Sequence, residues 1–325
     1  MRVAVLGASG GIGQSLALLL KLKLPHESTL LLYDLANVHG VAADLSHIDT
    51  NVYVEWAQGS LPPKPNDPEL KRLLSKGGVD VVVICAGVPR KPGMTRDDLF
   101  KVNAGIIMDL VKTSVSGLQE SPCFLIVTNP VNSTVPIAAE TLKSVGKYNK
   151  NKLFGVTMLD GLRATRFINE KRVPLLVDSV PVIGGHSGST IVPLFSQIHG
   201  DLGLNVSEWE SLVKRVQEAG TEVVNAKAGK GSATLSMAEA GARFALYIVS
   251  ALSGASNPIL YAYVDTDGTH QLPYLAMPVA VSKSGIARRL PIGKMNPMEQ
   301  KLFEVANRDI QTNIHSGVAF VRSKI

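Results

Sequence analysis

The sequence predicts an α/β fold: a doubly wound domain with a parallel sheet over residues 1–154, followed by an α+β domain over residues 155–325. Three observations predict it. Short apolar runs alternate with helix-like patterns through the first half, as repeated strand–helix–strand units do when they build a parallel sheet. A glycine-rich turn follows the first of those runs and opens the first helix. The alternation stops near Gly155, beyond which longer helical patterns and paired strand patterns replace it.

The composition agrees. A chain of 325 residues suits two domains of roughly 150 residues each. Apolar residues make up 45% and charged residues 18%, which excludes a mainly disordered chain. The net charge of +6 has no block of like charges behind it, so nucleic acid is not an expected partner. Cys85 and Cys123 both lie in apolar, strand-like runs, which predicts a reduced, intracellular protein without a disulfide framework.

The elements follow in order. A strand covers 3–6, and a helix runs from the glycine turn to about residue 23. The next strand, 30–33, ends at Asp34, and a helix over 37–47 precedes a strand at 52–56. Prolines 62, 63, 65 and 68 make the following segment a loop, with a short helix at 69–75 beyond it. The β-branched run at 79–85 reads as a strand buried on both faces. A helix over 96–116, a strand over 124–128 and a helix over 133–143 complete the first half. In the second half helices are expected at 159–170, 207–219, 233–252 and 297–314, with strand pairs at 174–183 and within 259–283.

Two uncharged stretches imitate export or membrane signals. The first, 3–20, is interrupted by glycines 7, 10, 11 and 13. The second, 244–264, is broken by the turn cluster Ser253-Gly254-Ala255-Ser256-Asn257-Pro258. Neither half of it reaches the ~20 residues a spanning helix needs. The expectation is a soluble, unsecreted protein, whose sequons at Asn132 and Asn205 never meet the glycosylation machinery.

The turn reads Gly7-Ala8-Ser9-Gly10-Gly11-Ile12-Gly13, a variant of the dinucleotide fingerprint. Its glycines allow a tight turn, backbone approach to a pyrophosphate and close helix–strand packing, and the helix N-terminus offers free N–H groups to the phosphates. A plain flexible turn is the alternative for the motif alone, and a helix cap for Asp34 alone. Asp34 lies 21 residues beyond Gly13, at the end of the second strand, where an acid binds the ribose hydroxyls. Together these features favour a Rossmann dinucleotide-binding domain. The charge of Asp34 repels a 2′-phosphate, so NAD is preferred to NADP.

Three later segments carry chemistry. A loop after the strand at 79–85 holds Arg90 and Arg96, at the end of the sheet where ligands bind. Asp160 and Arg163 sit three apart on one helix face. His186 lies in a glycine-flanked turn, Gly184-Gly185-His186-Ser187-Gly188. Singly, each has a plainer reading: a structural histidine, a solvated loop face, a surface i,i+3 pair.

At these segments the sequence resembles the NAD-dependent malate dehydrogenases of the lactate/malate dehydrogenase family. The runs that carry the resemblance are GASGGIGQ, AGVPRKPGMTRDDLFKVNAGI, VTNPVN, GVTMLDGLRATRF, GGHSG and GSATLSMAEAGARF, in the family's order from residue 7 to residue 244. GASGGIGQ and RKPGMTR resemble the mitochondrial, organellar variant. The resemblance implies hydride transfer between NAD(H) and malate or oxaloacetate, by a catalytic second domain. It makes His186 the general acid/base, a task that suits a group titrating near neutral pH, and Asp160 its orienting partner. It makes Arg163 the ligand of the carboxylate beside the reacting carbon and Arg90 the ligand of the distal carboxylate. Arg96 polarises the carbonyl, and Asn129 bonds the substrate oxygen. Gly7, Gly10, Gly11, Ile12, Gly13, Asp34, Asn103, Val127, Asn129 and Met237 line the cofactor site. A homodimer is implied as well, without a membrane partner.

The choice of malate over lactate rests on Arg90. A methyl group opposite a buried, unpaired guanidinium is disfavoured, because losing a buried charge partner costs about 3–5 kcal/mol. The loop bearing Arg90 and Arg96 is expected to close over substrate. The remaining histidines, 26, 39, 47, 199, 270 and 315, form no metal-binding motif, so no metal is expected.

Two other readings fit parts of the sequence. An NAD-sensing scaffold has no need of Asp160, Arg163 and His186 together. A short-chain dehydrogenase uses Tyr-x-x-x-Lys, which Tyr148 and Lys152 match formally in a polar stretch, so a Tyr148→Phe change is expected to be nearly silent.

The chain also departs from the family pattern. Residues 60–76 form a longer connection with no assigned role. Gly161 stands inside a helix, at a cost of about 1 kcal/mol against Ala. No Arg/Ser-rich leader precedes the first strand, and the chain ends Ser323-Lys324-Ile325, one step from the peroxisomal Ser-Lys-Leu signal. The expected location is a peroxisome-class organelle (peroxisome, glyoxysome or glycosome) reached through its import receptor, with the mitochondrial matrix or the cytoplasm as alternatives.

Overall fold

The structure is a computed structural model that describes residues 1–88, 96–171, 174 and 176–325, with only the backbone described over 96–99. Six parallel strands form the first half of one sheet: β1 (Arg2–Leu6), β2 (Thr29–Asp34), β3 (Tyr53–Gln58), β4 (Val81–Ile84), β5 (Cys123–Ile126) and β6 (Leu153–Gly155). Their spatial order is β3-β2-β1-β4-β5-β6, the order of a dinucleotide-binding sheet. β1, β4 and β5 are almost wholly buried because helices cover both faces. That is why they read as continuous apolar runs and not as alternation. The connecting helices are α1 (Gly11–Lys23), α2 (Val38–Ser46), α3 (Pro68–Ser75), α4 (Arg96–Val115) and α5 (Val131–Ser144).

The second half extends the same sheet. α6 (Met158–Glu170) follows β6; then come β7 (Val182–Gly184), β8 (Ile191–Pro193), α7 (Val206–Ala226) and α8 (Leu235–Ser253). The chain finishes with β9 (Ile259–Asp265), β10 (Tyr274–Ser282), β11 (Gly285–Arg289) and α9 (Pro297–Arg322). A single antiparallel pair, Gly155 with Tyr263, joins β6 to β9, giving an 11-stranded sheet across both halves. A second apolar cluster, with Ile168, Phe195, Trp209 and Val216 at its centre, packs α6 and α7 over β7 and β8.

Several boundaries differ from expectation for identifiable reasons. Among the described residues of the strand pair expected at 174–183, one strand forms, β7, and it pairs with β8 beyond the His186 turn and with β10; Leu175 falls outside the described residues. β6 and β8, at three residues each, are too short to show a periodicity. α7 runs to Ala226 and not 219 because it continues through Gly220 and two β-branched valines, all poor helix formers. α9 continues past 314 through Gly317, where a Cβ would lie 2.6 Å from the Ser133 carbonyl oxygen. That glycine marks the close approach of α9 to α5, not a helix end.

α8 is long and apolar enough to cross a membrane by length and composition. In the fold its apolar side, including Met237, Phe244 and Ile248, is buried, and it packs against α1 and α6. The turn cluster that broke the apolar run in the sequence is the end of α8, with Gly254 in the left-handed region at φ 78°.

The proline-rich segment is ordered by Asp67. Its Oδ1 caps α3 by accepting the Glu69 and Leu70 N–H groups at 2.9 and 3.1 Å, with Pro68 in the first helical position. Its Oδ2 reaches back to the Ser60 N–H at 3.4 Å.

Candidate active site

Gly7, Gly13, Asp34, Asn103, Val127, Asp160 and His186 lie at or beyond the carboxyl ends of the parallel strands, or in elements and turns that face them. Gly7 ends β1 with φ 96°, and a Cβ there would sit 2.5 Å from the Ala86 backbone nitrogen. At Gly13 a Cβ would sit 2.0 Å from the Gly7 carbonyl oxygen. These two glycines are thus required by close approach, whereas Gly10, the α1 N-cap, has its nearest such neighbour at 3.4 Å. The α1 N-terminus carries no side-chain cap and no acidic residue in its first turn. Its free N–H groups are therefore open to an anion. Ile12 is half-buried beside them, and Gly11 lies against Thr234 at the start of α8.

Asp34 braces this turn. Its Oδ2 accepts the Ser9 N–H at 2.8 Å and its Oδ1 the Leu35 N–H at 2.7 Å. Each oxygen keeps a further lone pair for an incoming hydroxyl. Asp34, Gly7, Gly10, Ala86 and Ile106 line one cleft of about 620 Å³. An orphaned helix N-terminus, a cradle that side chains would fill, and an acid with spare acceptor sites all fit a dinucleotide.

Cys85 also lines this cleft, with its Sγ 3.4 Å from the Leu6 carbonyl oxygen. Burial pushes its thiol up to about 12, and does the same to Cys123 in β5. Both cysteines are free and neither is poised as a thiolate.

The histidine turn joins β7 to β8. Gly184 has φ 93°, and a Cβ on it would meet the Thr190 carbonyl oxygen at 2.2 Å. The turn is clamped from the start of α5 by Asn132, which is 1% exposed. Asn132 Oδ1 accepts the His186 N–H at 2.9 Å, and its Nδ2 donates to Thr190 Oγ1 at 3.2 Å and Asn313 Oδ1 at 3.1 Å. Asn132 was missed in the sequence except as an idle sequon; its signal was its place as the second asparagine of VTNPVN.

His186 Nδ1 lies 2.6 Å from Asp160 Oδ2, with the two side chains 7% and 1% exposed. The carboxylate accepts, so Nδ1 carries the hydrogen and Nε2 is the exchanging nitrogen. Asp160 and Arg163 lie on α6, which runs through Gly161 without a break. Among the described residues, neither Arg163 Nη2 nor Asp160 Oδ1, both buried, has a hydrogen-bond partner. Burial pulls the Arg163 guanidinium below its ordinary value, while Asp160 and Glu222 hold it up. A buried guanidinium with an unused N–H is a site for an anion.

The remaining expected residues divide. Asn129 is exposed just after β5. Asn103 on α4 is buried and its side chain is engaged with backbone: Oδ1 accepts the Val88 N–H at 2.9 Å, and Nδ2 donates to the Asn129 carbonyl at 2.8 Å. It ties the loop after β4 to the loop after β5. Val127, at the end of β5, and Met237, on α8, are both buried. Arg90 and most of the loop expected to close over substrate lie outside the described residues, and of Arg96 only the backbone, which opens α4, is described.

Tyr148 and Lys152 precede β6, at the amino ends of the parallel strands and so on the opposite side of the sheet. Tyr148 donates to Asp265 Oδ2 at 2.6 Å, and Lys152 Nζ to the Ser121 carbonyl at 3.1 Å. Both side chains are bonded to structure, away from the cleft.

Comparison with known proteins decides the family. The NAD binding domain of lactate/malate dehydrogenases matches residues 1–155, and the alpha/beta C-terminal domain of the same family matches residues 157–321. This chain belongs to the lactate/malate dehydrogenase family. Its first half is that family's NAD-binding domain, so NAD is its cofactor. A malate dehydrogenase of Psychromonas ingrahamii is 51% identical over 323 residues, covering 99% of this chain and 97% of that protein. One from Vibrio cholerae is 50% identical over 325 residues, covering 99% and 100%. The apo malate dehydrogenase structure from Picrophilus torridus superposes with a TM-score of 0.84 at 21% identity, covering 100% of this chain and 99% of that one, and shows the shared fold.

These relatives correct one expectation. The peroxisome-class location, with its import receptor, does not stand: these two family members, at half identity over the full length, are bacterial, which agrees with the cytoplasmic alternative. In the fold, Ser323-Lys324-Ile325 continues the bonding of α9. The Ser323 N–H donates to the Ala319 carbonyl, and those of Lys324 and Ile325 to the Val321 carbonyl.

Proposed function

We propose that the protein interconverts malate and oxaloacetate with NAD(H), using His186 as the acid/base. The observation that carries this reading is the buried His186–Asp160 pair beside a buried Arg163 with an unpartnered N–H. NAD(H), when bound, supplies or accepts the hydride. His186 gives a proton to the substrate oxygen as oxaloacetate is reduced, and takes it back as malate is oxidised. Asp160 holds the imidazole in one tautomer and stabilises the imidazolium between turnovers. Arg163 holds the carboxylate beside the reacting carbon in a fork.

Arg90 reads the distal carboxylate, Arg96 polarises the carbonyl and Asn129 bonds the substrate oxygen, by their positions in the family's motifs. Asp34 holds the adenosine ribose hydroxyls, with the free N–H groups at Gly11, Ile12 and Gly13 on the pyrophosphate. Gly7 and Gly10 let the backbone approach, and Asn103, Val127 and Met237 complete the wall. The cofactor domain spans 1–154 and the substrate domain 155–325; a single sheet joins them, so the active site lies where they meet.

The assembly is a homodimer. Leu18 and Leu22 on α1 and Tyr247 on α8 are exposed apolar residues on two helices that pack together, and a second copy would cover them.

The test is His186→Asn. It should bind NADH with unchanged affinity and lose turnover by roughly 10³-fold or more. Near-normal turnover would remove His186 from the reaction.

A further inference from the structure

The proline-rich connection, without a role in the sequence reading, reaches the cofactor cleft. Pro63, Lys64 and Pro65 line the same cleft as Asp34 and Asn37. They are held there from both ends. Gly59 donates its N–H to the Asp34 carbonyl at 2.9 Å, and a Cβ on Gly59 would strike the Tyr33 hydroxyl at 2.2 Å. At the other end Asn66, in the left-handed region at φ 54°, donates its N–H to Asp109 Oδ1 on α4 at 3.1 Å. Asp109 itself lines the cleft.

Among the described residues that line it, Lys64 is the one cation, against Asp34 and Asp109. A lysine between two prolines sits on a stiffened backbone, which reduces the backbone entropy lost when the segment is fixed against a ligand. In a dinucleotide fold the acid at the end of the second strand marks the adenosine ribose. The segment therefore stands over the adenosine end of the cofactor, not over the nicotinamide.

We propose that residues 63–65 form an added wall of the cofactor site over its adenosine diphosphate moiety, with Lys64 as the binding residue and Asp109 as the residue that positions the wall through Asn66. This rests on the placement of the adenosine ribose at Asp34 given above. Lys64 supplies a cation to phosphate or ribose oxygens, a charge-assisted contact. Asp109 acts by accepting a hydrogen bond, so an asparagine, which keeps an acceptor oxygen, should replace it.

The experiment compares two probes on the whole protein: ADP-ribose, which carries only the adenosine end, and reduced nicotinamide mononucleotide, which lacks it. Lys64→Ala and Asp109→Ala should each weaken ADP-ribose roughly five- to tenfold and raise the KM for NADH similarly, with kcat unchanged. Neither should change the KM for reduced nicotinamide mononucleotide, and Asp109→Asn should bind ADP-ribose as the parent does. Unchanged ADP-ribose affinity in Lys64→Ala, or an equal loss for both probes, would overturn the wall. Asp34→Ala separates the two readings. If it leaves ADP-ribose affinity intact, the placement of the adenosine end is wrong. If it weakens ADP-ribose while Lys64→Ala does not, that placement holds and the wall alone fails.

Discussion

His186 Nδ1 stands 2.6 Å from Asp160 Oδ2, in a pair almost wholly withdrawn from water. The two residues come from different elements, the β7–β8 turn and the first turn of α6, so their meeting is a product of the tertiary fold. Low local dielectric strengthens such a contact and raises the cost of breaking it.

Asp160→Asn should therefore keep the fold and the cofactor affinity but release the imidazole from its tautomer. The expected loss in kcat is roughly 10²–10⁴-fold, with the NADH dissociation constant unchanged. Fluorescence titration of NADH beside steady-state rates checks both halves, and a loss confined to NADH binding would count against the assignment.

Gly161 offers a gain in stability. A Cβ there would lie 3.4 Å from the Val180 carbonyl oxygen, an ordinary contact, and the helix is continuous through it. Gly161→Ala should stabilise the protein by about 1 kcal/mol, a rise of roughly 2 °C in Tm. A fall in Tm by calorimetry would show that this site demands a conformation or clearance only glycine supplies.

Asp109 gives a pH signature. Burial raises its carboxyl above the ordinary value, the Asn66 N–H opposes the rise, and Asp67 adds to it. A raised carboxyl means that the folded state binds the proton more tightly than the unfolded chain. Stability then falls as pH rises through the window between the unfolded value and the folded one, and the penalty stays above it. Asp109→Asn removes the penalty. It should raise Tm at pH 7, with the gain shrinking towards pH 4. A gain that grows on acidification would reverse the sign and refute the argument.

Much of the fold was legible because burial on both faces leaves an unambiguous print: β1, β4 and β5 are continuous apolar runs, and Gly7 and Gly13 of the fingerprint sit where close approach requires them. Gly220 and Gly317 both stand inside helices that run past the expected ends. A glycine looks like punctuation in a sequence; Gly317 is instead a contact of α9 on Ser133, while Gly220 has open space around it and α7 simply continues. The candidate site was legible at Asp34, Asp160 and His186, because the residue type itself suggests the chemistry and the fold brings Asp160 to His186 and Asp34 to the cleft. It was not readable where a side chain works through the backbone of another segment. Asn132 holds the His186 N–H, and Asp109 holds Asn66, across sequence separations that no local pattern records. The role of the connection at residues 60–67 was hidden in the same way, because nothing local says that prolines 63 and 65 turn towards Asp34.

Arg163 is proposed to hold the carboxylate that oxaloacetate and pyruvate share, so the preference for a dicarboxylate falls to Arg90, and its most direct measurement is the ratio of kcat/KM for oxaloacetate and pyruvate with NADH. With pyruvate Arg90 would face a methyl group, and leaving a guanidinium desolvated by substrate without its partner costs about 3–5 kcal/mol, so the preference for oxaloacetate should be roughly a thousandfold. Comparable values for the two substrates, or a preference for pyruvate, would contradict the account.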